Sequence, residues 1–436
     1  MNITVDPAKL SAAAPTANTD AATDVVLSIC VPTYNRAIFL RHLFPHIREV
    51  AKAFDFSYEI VVSDNCSPDE TPEIVQGFIA EGLPIRYFRQ EENKRLSNLF
   101  SAFRHARGEF LVYLADDDLI IPEALADNVR FMRDNPEIRV LYTPWQVYDA
   151  LAEEAHGQFF RLPKPVQVFA PGQEIDLLKM LVDHHVMPEI AMYRAEAVQQ
   201  LVSAPQFCYW AFAYLSTMIS QGPIAFRDVP YYRSVTLTPV MPNRHQEGTH
   251  DNLHNWDAFR GGIEFMIFSL LKRIGLTPDQ ELGMIFRGMV DHFLRLRMHV
   301  SLRLWLGRRE YLRAYELIAR LSYLNPASVQ NIAGLDTLLP RLKAQILAQL
   351  ANGIAAIERL AVFGIDDLEA FETELRDLGL KSHIAVVGGE ALTGGEAGET
   401  TFAFIRNEAM RQDLLDAGFE PGLVVSAHDI EANFPL

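Results

Sequence analysis

The stretch Glu109-Phe110-Leu111-Val112-Tyr113-Leu114-Ala115-Asp116-Asp117-Asp118 decides the reading of this chain. Its first six residues form an apolar run of strand length, and the following Leu119-Ile120-Ile121-Pro122-Glu123 is expected to open a helix. Three consecutive carboxylates at the carboxyl end of a buried strand repel one another and lose hydration. A hard divalent cation, Mg²⁺ or Mn²⁺, would supply the missing charge and keep coordination positions free for phosphates. The alternative is a solvated acidic loop. The surroundings separate the two, because open α/β sheets place ligands at the carboxyl ends of their strands.

Upstream of that stretch the pattern repeats. Val25–Val31 reads as a strand stopped by Pro32-Thr33-Tyr34-Asn35-Arg36, and a helix is expected from Ile38 to Phe54, with Leu40, Leu43, Phe44, Ile47 and Val50 at helical spacing. A second strand, Tyr58–Val62, runs into Ser63-Asp64-Asn65-Cys66-Ser67, and Thr71-Pro72-Glu73 opens the next helix. A third strand at Ile85–Phe88 and a helix from Leu96 to Ala106 lead back to the acidic strand. Strands alternating with helices at short spacing predict a mostly parallel sheet with crossover helices.

Composition narrows the function classes. The chain has 436 residues and a formal charge of -17, which argues against a nucleic-acid surface or a general polybasic membrane patch. Its 3 cysteines, Cys30, Cys66 and Cys208, are too few and too scattered for a disulfide framework or a structural zinc site. No apolar run approaches the ~18 residues of a membrane span, and the first residues lack a basic-then-apolar signal pattern. A cytoplasmic protein is expected, with the inner face of the membrane as a further location.

Three segments together, Ser28-Ile29-Cys30-Val31-Pro32-Thr33-Tyr34-Asn35-Arg36, then Glu59-Ile60-Val61-Val62-Ser63-Asp64-Asn65-Cys66-Ser67-Pro68-Asp69, then Ala106-Arg107-Gly108-Glu109-Phe110 running into the acidic triplet, resemble the family 2 glycosyltransferases of GT-A fold. The resemblance spans roughly residues 26 to 240. It implies a nucleotide-sugar donor held by the ends of the first, second and fourth strands. Asp117 would be the principal metal ligand and Asp116 its nucleotide-side partner, with Asp118, counted among the catalytic candidates, either a carboxylate supporting the ligands from behind or one facing the donor sugar. Asp64 would accept a hydrogen bond from the base edge. Tyr34 would lie against the base, and Pro32, Asn35, Arg36 and Asn93 would be neighbours of the nucleotide. The competing reading is that Tyr34-Asn35 turns the chain and Asp64 caps a helix.

Two departures stand out. Ala115 occupies a position where the family often has Asp. More deeply, the family's inverting members carry a Glu-Asp pair, the general base, before a glycine. The matching stretch here, Cys208-Tyr209-Trp210-Ala211-Phe212-Ala213-Tyr214, has no carboxylate. Substitute bases are sought in Asp183-His184-His185-Val186-Met187-Pro188-Glu189, with Glu189 first and His185 next. The polar stretch from Pro239 to His254 is a further functional loop or a linker. In it His250, with His245 and His254, is a candidate to complete the metal shell.

The expected division is a flexible tail over residues 1–25, a GT-A domain over 26–245, a helical domain over 246–360 and a small α/β module over 361–436. Helices are expected at 263–271, 284–306, 311–323 and 338–360; strands at 384–387, 402–405 and 423–425. Arg287, Arg295, Arg297 and Arg303, interleaved with apolar residues, read either as an interfacial helix meeting anionic lipid or as the outer face of a bundle. Leu302, Leu304, Trp305, Leu306 and Tyr311 predict an apolar surface to be covered by the catalytic domain, by a second copy or by lipid, with self-association ranked first and peripheral membrane contact second. The function expected is metal-dependent, inverting transfer of a sugar to a hydroxyl on a saccharide, lipid-linked or protein acceptor, in surface polysaccharide or glycoconjugate synthesis. A binding or scaffold protein that keeps the nucleotide site without a base is the alternative. A sugar nucleotidyltransferase is disfavoured, since no Gly-rich phosphate loop follows the first strand.

Overall fold

The structure is a computed structural model that describes residues 25–95, 97–202, 205, 208–241, 256–329, 332, 335–389 and 398–435. The expected tail, Leu96 and the histidines His245, His250 and His254 lie outside the described residues. The chain divides into two compact units, Met1–Val290 and Asp291–Leu436.

The first unit begins with β1 (Leu27–Thr33), α1 (Ala37–Val50), β2 (Tyr58–Asp64), α2 (Thr71–Ala80), β3 (Ile85–Arg89), α3 (Ser97–His105) and β4 (Phe110–Tyr113). After the acidic triplet comes a short strand, β5 (Leu119–Ile120), where the helix was expected to start at once; α4 (Pro122–Asp134) opens on Pro122. Then follow β6 (Val140–Tyr142), β7 (Gln146–Asp149), β8 (Glu154–Gln158), β9 (Val166–Phe169), α5 (Glu174–Asp183), β10 (Ala191–Arg194), α6 (Ala195–Val198), α7 (Trp210–Gln221), β11 (Ile224–Arg227), β12 (Tyr232–Leu237) and α8 (Trp256–Arg273). The long α9 (Gln280–Gly307) contains the division between the units.

The main sheet has 8 strands in the order β3-β2-β1-β4-β10-β6-β11-β9. Strands β3, β2, β1 and β4 are mutually parallel, and β10 inserts antiparallel between β4 and β6. The parallel half reads as continuous Val, Ile and Leu because both faces are covered: Leu27, Ile29, Val31, Ile60, Val61, Val62, Leu111 and Val112 are all buried. A mixed α/β fold of GT-A type with a helical region after it is what the sequence implied. The second sheet, β5-β12-β7-β8, was not anticipated.

The Ala106-Arg107-Gly108 segment secures the amino end of this sheet, opposite the acidic turn. Ser28 Oγ donates to the buried Glu59 carboxylate at 2.6 Å, and the Arg107 and Gly108 N–H groups donate to Glu59 and Ser28 Oγ at 2.7 and 2.8 Å. A Cβ on Gly108 would lie 2.7 Å from the Ser28 backbone nitrogen, so only glycine fits the approach.

The second unit holds the remainder of α9, then α10 (Tyr311–Leu324) and α11 (Leu335–Gly353). Along α9, Phe293, Leu294, Met298, Leu302 and Trp305 form a buried helical stripe, and Tyr311 is buried as well. Of the expected apolar surface, Leu302, Trp305 and Tyr311 are covered by the chain itself, while Leu304 remains 46% exposed. The expected helix to Leu360 also stops early. Arg359–Phe363 is β13, the first strand of a third sheet, because Leu360–Phe363 is a buried apolar run of strand length. It is followed by α12 (Leu368–Asp377), β14 (Ala385–Gly388), β15 (Thr401–Ile405), α13 (Arg411–Asp416), β16 (Val424–Ser426) and α14 (Ala427–Asn433). All four strands are parallel, in the order β14-β13-β15-β16.

Candidate active site

Three strand ends meet at the carboxyl edge of the parallel half. The Asn65 N–H donates to the Thr33 carbonyl at 2.9 Å and the Leu114 N–H to the Cys30 carbonyl at 2.9 Å, which ties β2 and β4 to β1. Four residues later the Asp118 N–H reaches the Ala115 carbonyl at 3.3 Å, so the triplet forms a turn and its carboxylates point in different directions.

Asp116 points toward β1. Thr33 Oγ1 donates to its Oδ2 at 2.7 Å and Arg36 Nε lies 4.0 Å from its Oδ1. Burial, then repulsion from Asp117, pushes the Asp116 carboxyl up to about 7 in spite of the opposing Arg36 and Thr33. Asp117 beside it is half-buried. Asp118 is turned the other way. Its Oδ2 accepts from the Tyr232 hydroxyl at 2.6 Å and its Oδ1 from the Val235 N–H at 2.8 Å, so it holds β12.

Asp64, at the end of β2, is fully buried. It accepts from the Ser67 N–H at 2.9 Å and the Tyr87 hydroxyl at 2.6 Å, with Arg89 Nε 3.5 Å away. This closes the loop after β2 on itself; α2 begins only at Thr71, so Asp64 is not its cap. Asn35 sits at φ 55° with its N–H donating to Ser67 Oγ at 2.9 Å, a left-handed conformation that Asn tolerates better than most residues. Tyr34 next to it is 44% exposed, and Pro32 is half-buried. Asn93 accepts from Asn65 Nδ2 and from the Arg95 N–H, both at 2.9 Å, so it shapes the loop after β3.

The sequence reading passed over Asn98, Ser63 and Asn65. Asn98 Nδ2 donates to the Ser63 carbonyl and Ser63 Oγ donates to Asn98 Oδ1, each at 2.7 Å, bracing β2 against α3. Asn98 among the buried apolar residues Leu99, Ala102 and Phe103 of α3 was the available signal. Tyr232 offered none, because it meets Asp118 across 114 residues.

The two base candidates differ. Glu189 immediately precedes Ile190 and β10, the strand that runs antiparallel beside β4, so it lies at the same sheet edge as the acidic turn. Its charge is felt at Tyr113, as are those of Asp118, Asp117 and Asp116; burial first, then these carboxylates, raise the Tyr113 hydroxyl well above its ordinary value. His185 instead ends α5. It adopts φ 52°, its N–H bonds the Val182 carbonyl at 3.4 Å, and the Val186 N–H bonds Leu181 at 2.9 Å, the pairing of a Schellman cap. Asp183 and His184 are exposed. The position where a carboxylate was missing is filled by Trp210, which opens α7 with its ring 6.5 Å from Tyr113.

Asp116 and Asp117 fit a divalent ion: they are two adjacent carboxylates, and burial and its neighbour's charge push the Asp116 carboxyl up even with Arg36 Nε 4.0 Å from its Oδ1. Among the described residues no group of three or more His, Cys, Asp or Glu is arranged to hold a metal.

Comparison with known proteins gives the following likenesses. Residues 28–202 match the family model described as Glycosyl transferase family 2. An uncharacterized glycosyltransferase of Haemophilus influenzae is 26% identical over 170 residues, 38% of this chain and 52% of that one. A GalNAc(5)-diNAcBac-PP-undecaprenol beta-1,3-glucosyltransferase of Campylobacter jejuni is 35% identical over 103 residues, 23% of this chain and 32% of that one. The chain thus spans about half the length of the first relative and a third of the second. Among solved structures, S. aureus TarS 1-349 in complex with UDP-GlcNAc aligns at 16% identity and a TM-score of 0.46, over 74% of this chain and 85% of that one. Residues 28–202 are thus similar to a family 2 glycosyltransferase domain.

Proposed function

We propose that this family 2 glycosyltransferase domain transfers a sugar from a nucleotide-sugar to an acceptor hydroxyl, with inversion and with Mg²⁺ or Mn²⁺ at Asp116 and Asp117. The observation that carries the reading is the convergence of Thr33, Asp64 and the Asp116–Asp117 pair at one sheet edge, with the buried Asp116 carboxyl pushed up to about 7. A bound cation would stabilise the charge that builds on the departing diphosphate.

The chain's own groups have the following roles in this proposal. The exposed Tyr34 ring lies against the base, a contact worth on the order of 1 kcal/mol, and Asp64 accepts from the base edge with the lone pairs that Ser67, Tyr87 and Arg89 leave available. Pro32, Asn35 and Arg36 line the nucleotide, and Asn93 holds the adjoining loop in place. Glu189 takes the proton of the acceptor hydroxyl as its oxygen bonds the anomeric carbon and the bond from that carbon to the diphosphate oxygen breaks. His185 is set aside as base because its backbone terminates a helix.

The name of the Campylobacter relative carries a lipid-linked acceptor, which makes that class the first to try; saccharide and protein acceptors follow. No helix among the described residues is long and apolar enough to cross a membrane. We place the protein in the cytoplasm, reaching a lipid-linked acceptor by peripheral contact or acting as a homodimer. One observation favours a second reading, a nucleotide-sugar-binding scaffold: the first turn of α7 has no acidic residue and opens on Trp210. A thermal-shift panel of nucleotide-sugars with and without Mn²⁺, followed by assay of released nucleoside diphosphate, tests both. Stabilisation that requires the metal, with turnover, supports transfer. Stabilisation without turnover over a broad acceptor panel supports the scaffold.

A further inference from the structure

From β12, 114 residues after the turn it meets, Tyr232 closes both ends of the acidic turn. Its hydroxyl accepts from the Ala115 N–H at 3.3 Å and donates to Asp118 Oδ2 at 2.6 Å. Asp118 Oδ1 takes the Val235 N–H at 2.8 Å, so one carboxylate is held by two points of the same strand. The ring is 2% exposed and stacks with Tyr113 at a centroid distance of 6.3 Å. On the far side, β12 pairs with β5 through Tyr232 and Ile120, directly after the triplet. Every flank of Asp116 and Asp117 is thus fixed from β12.

Resting on the metal-dependent reading above, we infer that Tyr232 is a positioning residue: acting through Asp118 and Ala115, it sets the turn that aims Asp116 and Asp117 at the divalent ion. A carboxylate that turns away from the ion and anchors its neighbours gives a rigid pair of ligands where a free three-carboxylate loop would splay by repulsion. Burial, then the Asp118 charge, holds the Tyr232 hydroxyl protonated, so it remains the donor of the pair at all working pH values. The polar contacts that make the device come from a strand of the second sheet.

The test measures Mn²⁺ affinity by loss of the free-ion paramagnetic signal in the presence of UDP, and separately of GDP, for wild type, Tyr232→Phe and Asp118→Asn. Tyr232→Phe keeps the ring and is expected to weaken Mn²⁺ about tenfold, the range for partners that orient ligands. Nucleotide affinity in EDTA and the content of secondary structure are expected to stay unchanged. Asp118→Asn breaks the same pair from the other side, and adding Tyr232→Phe to it is expected to cost little more, since the two changes remove one interaction. Should Tyr232→Phe fold poorly, Asp118→Asn alone carries the test through the same readout. Wild-type Mn²⁺ affinity in a folded Tyr232→Phe or Asp118→Asn protein overturns this inference and leaves the metal reading standing. Absence of Mn²⁺ binding by wild type overturns the metal reading and this inference with it. Equal losses of nucleotide affinity in EDTA and of Mn²⁺ affinity would mark Tyr232 as merely structural, which also overturns the inference.

Discussion

Two parallel sheets in this chain treat the charges at their carboxyl ends in opposite ways. At the end of β4, Asp116 is buried beside Asp117, with Arg36 no closer than 4.0 Å, and its carboxyl resists ionisation. At the corresponding edge of the C-terminal sheet the acids are neutralised by partners. Arg411 lies between Glu408 and Asp429 in ion pairs with both, and Ser426 and Asp429 close a capping box at the start of α14. Burial alone would raise Asp429, but the Ser426 N–H and Arg411 overrule it and hold the carboxyl below its usual range. Asp367 likewise accepts from the Ala370 N–H at 2.9 Å and caps α12. Topology is therefore a poor guide to which edge is the site; a carboxyl held above its ordinary range is a better one.

The largest expected effect lies at the first edge. Glu189→Gln is expected to lower turnover by ~10²-fold or more while donor affinity barely changes, because only the proton acceptor is lost. Steady-state kinetics over donor and acceptor concentrations reads the split. A fully active Glu189→Gln enzyme would return the base assignment to His185 or Asp183.

The comparison is sharpened by one substitution made at both edges. A raised carboxyl pKa means the folded chain holds its proton more tightly than the unfolded one, so the metal-free fold is weakened as pH climbs above the unfolded carboxylate value. Asp116→Asn removes that penalty and is expected to stabilise the metal-free protein at pH 8 by about 1–3 kcal/mol. Asp429→Asn has the opposite sign: a depressed carboxylate contributes stability at neutral pH that is lost on acidification. That side chain is 41% exposed, so the loss is expected to be under about 1 kcal/mol. Thermal melts in EDTA at pH 8 decide it, and equal signs for the two variants would dissolve the contrast.

Much of the first edge was legible because it is local. Pro32 through Arg36, Ser63 through Ser67 and the acidic triplet each follow an apolar run of strand length, and such runs disclose both strand and loop. What escaped depends on distance along the chain. Asp118 reads like its two neighbours until Tyr232 and Val235 arrive from the second sheet, and Leu360 reads as helix until β15 pairs with β13. The left-handed backbone of His185 was equally hidden, since a histidine at a helix end gives no glycine-like signal. Arg287 and Arg303 are exposed on α9 beside a buried apolar stripe, as the bundle reading requires.

Smaller effects complete the set. Ser426→Ala is expected to cost about 1 kcal/mol through loss of the helix cap, with nucleotide binding untouched. At the first edge, His46 Nε2 accepts the Ile120 N–H at 3.1 Å, and burial, reinforced by Arg233, lowers its pKa below 6.5. The neutral form favours folding, so this contribution is complete above the unfolded value and fades as pH falls below it. Melting temperatures of wild type and His46→Gln from pH 7.5 to 5, given as ~0.5-unit steps, are expected to show wild type losing more on acidification; parallel curves would remove His46 from the account.

The central claim is that the buried Asp116 and Asp117 exist to hold a divalent ion against a nucleotide diphosphate. Calorimetric titration of UDP and GDP into wild type and Asp117→Asn, each in EDTA and in excess Mn²⁺, tests it most directly. Wild-type binding that is much tighter with Mn²⁺ than in EDTA, the gain being lost in a folded Asp117→Asn protein, is the predicted result. Equal nucleotide affinity with EDTA and with Mn²⁺ would contradict it.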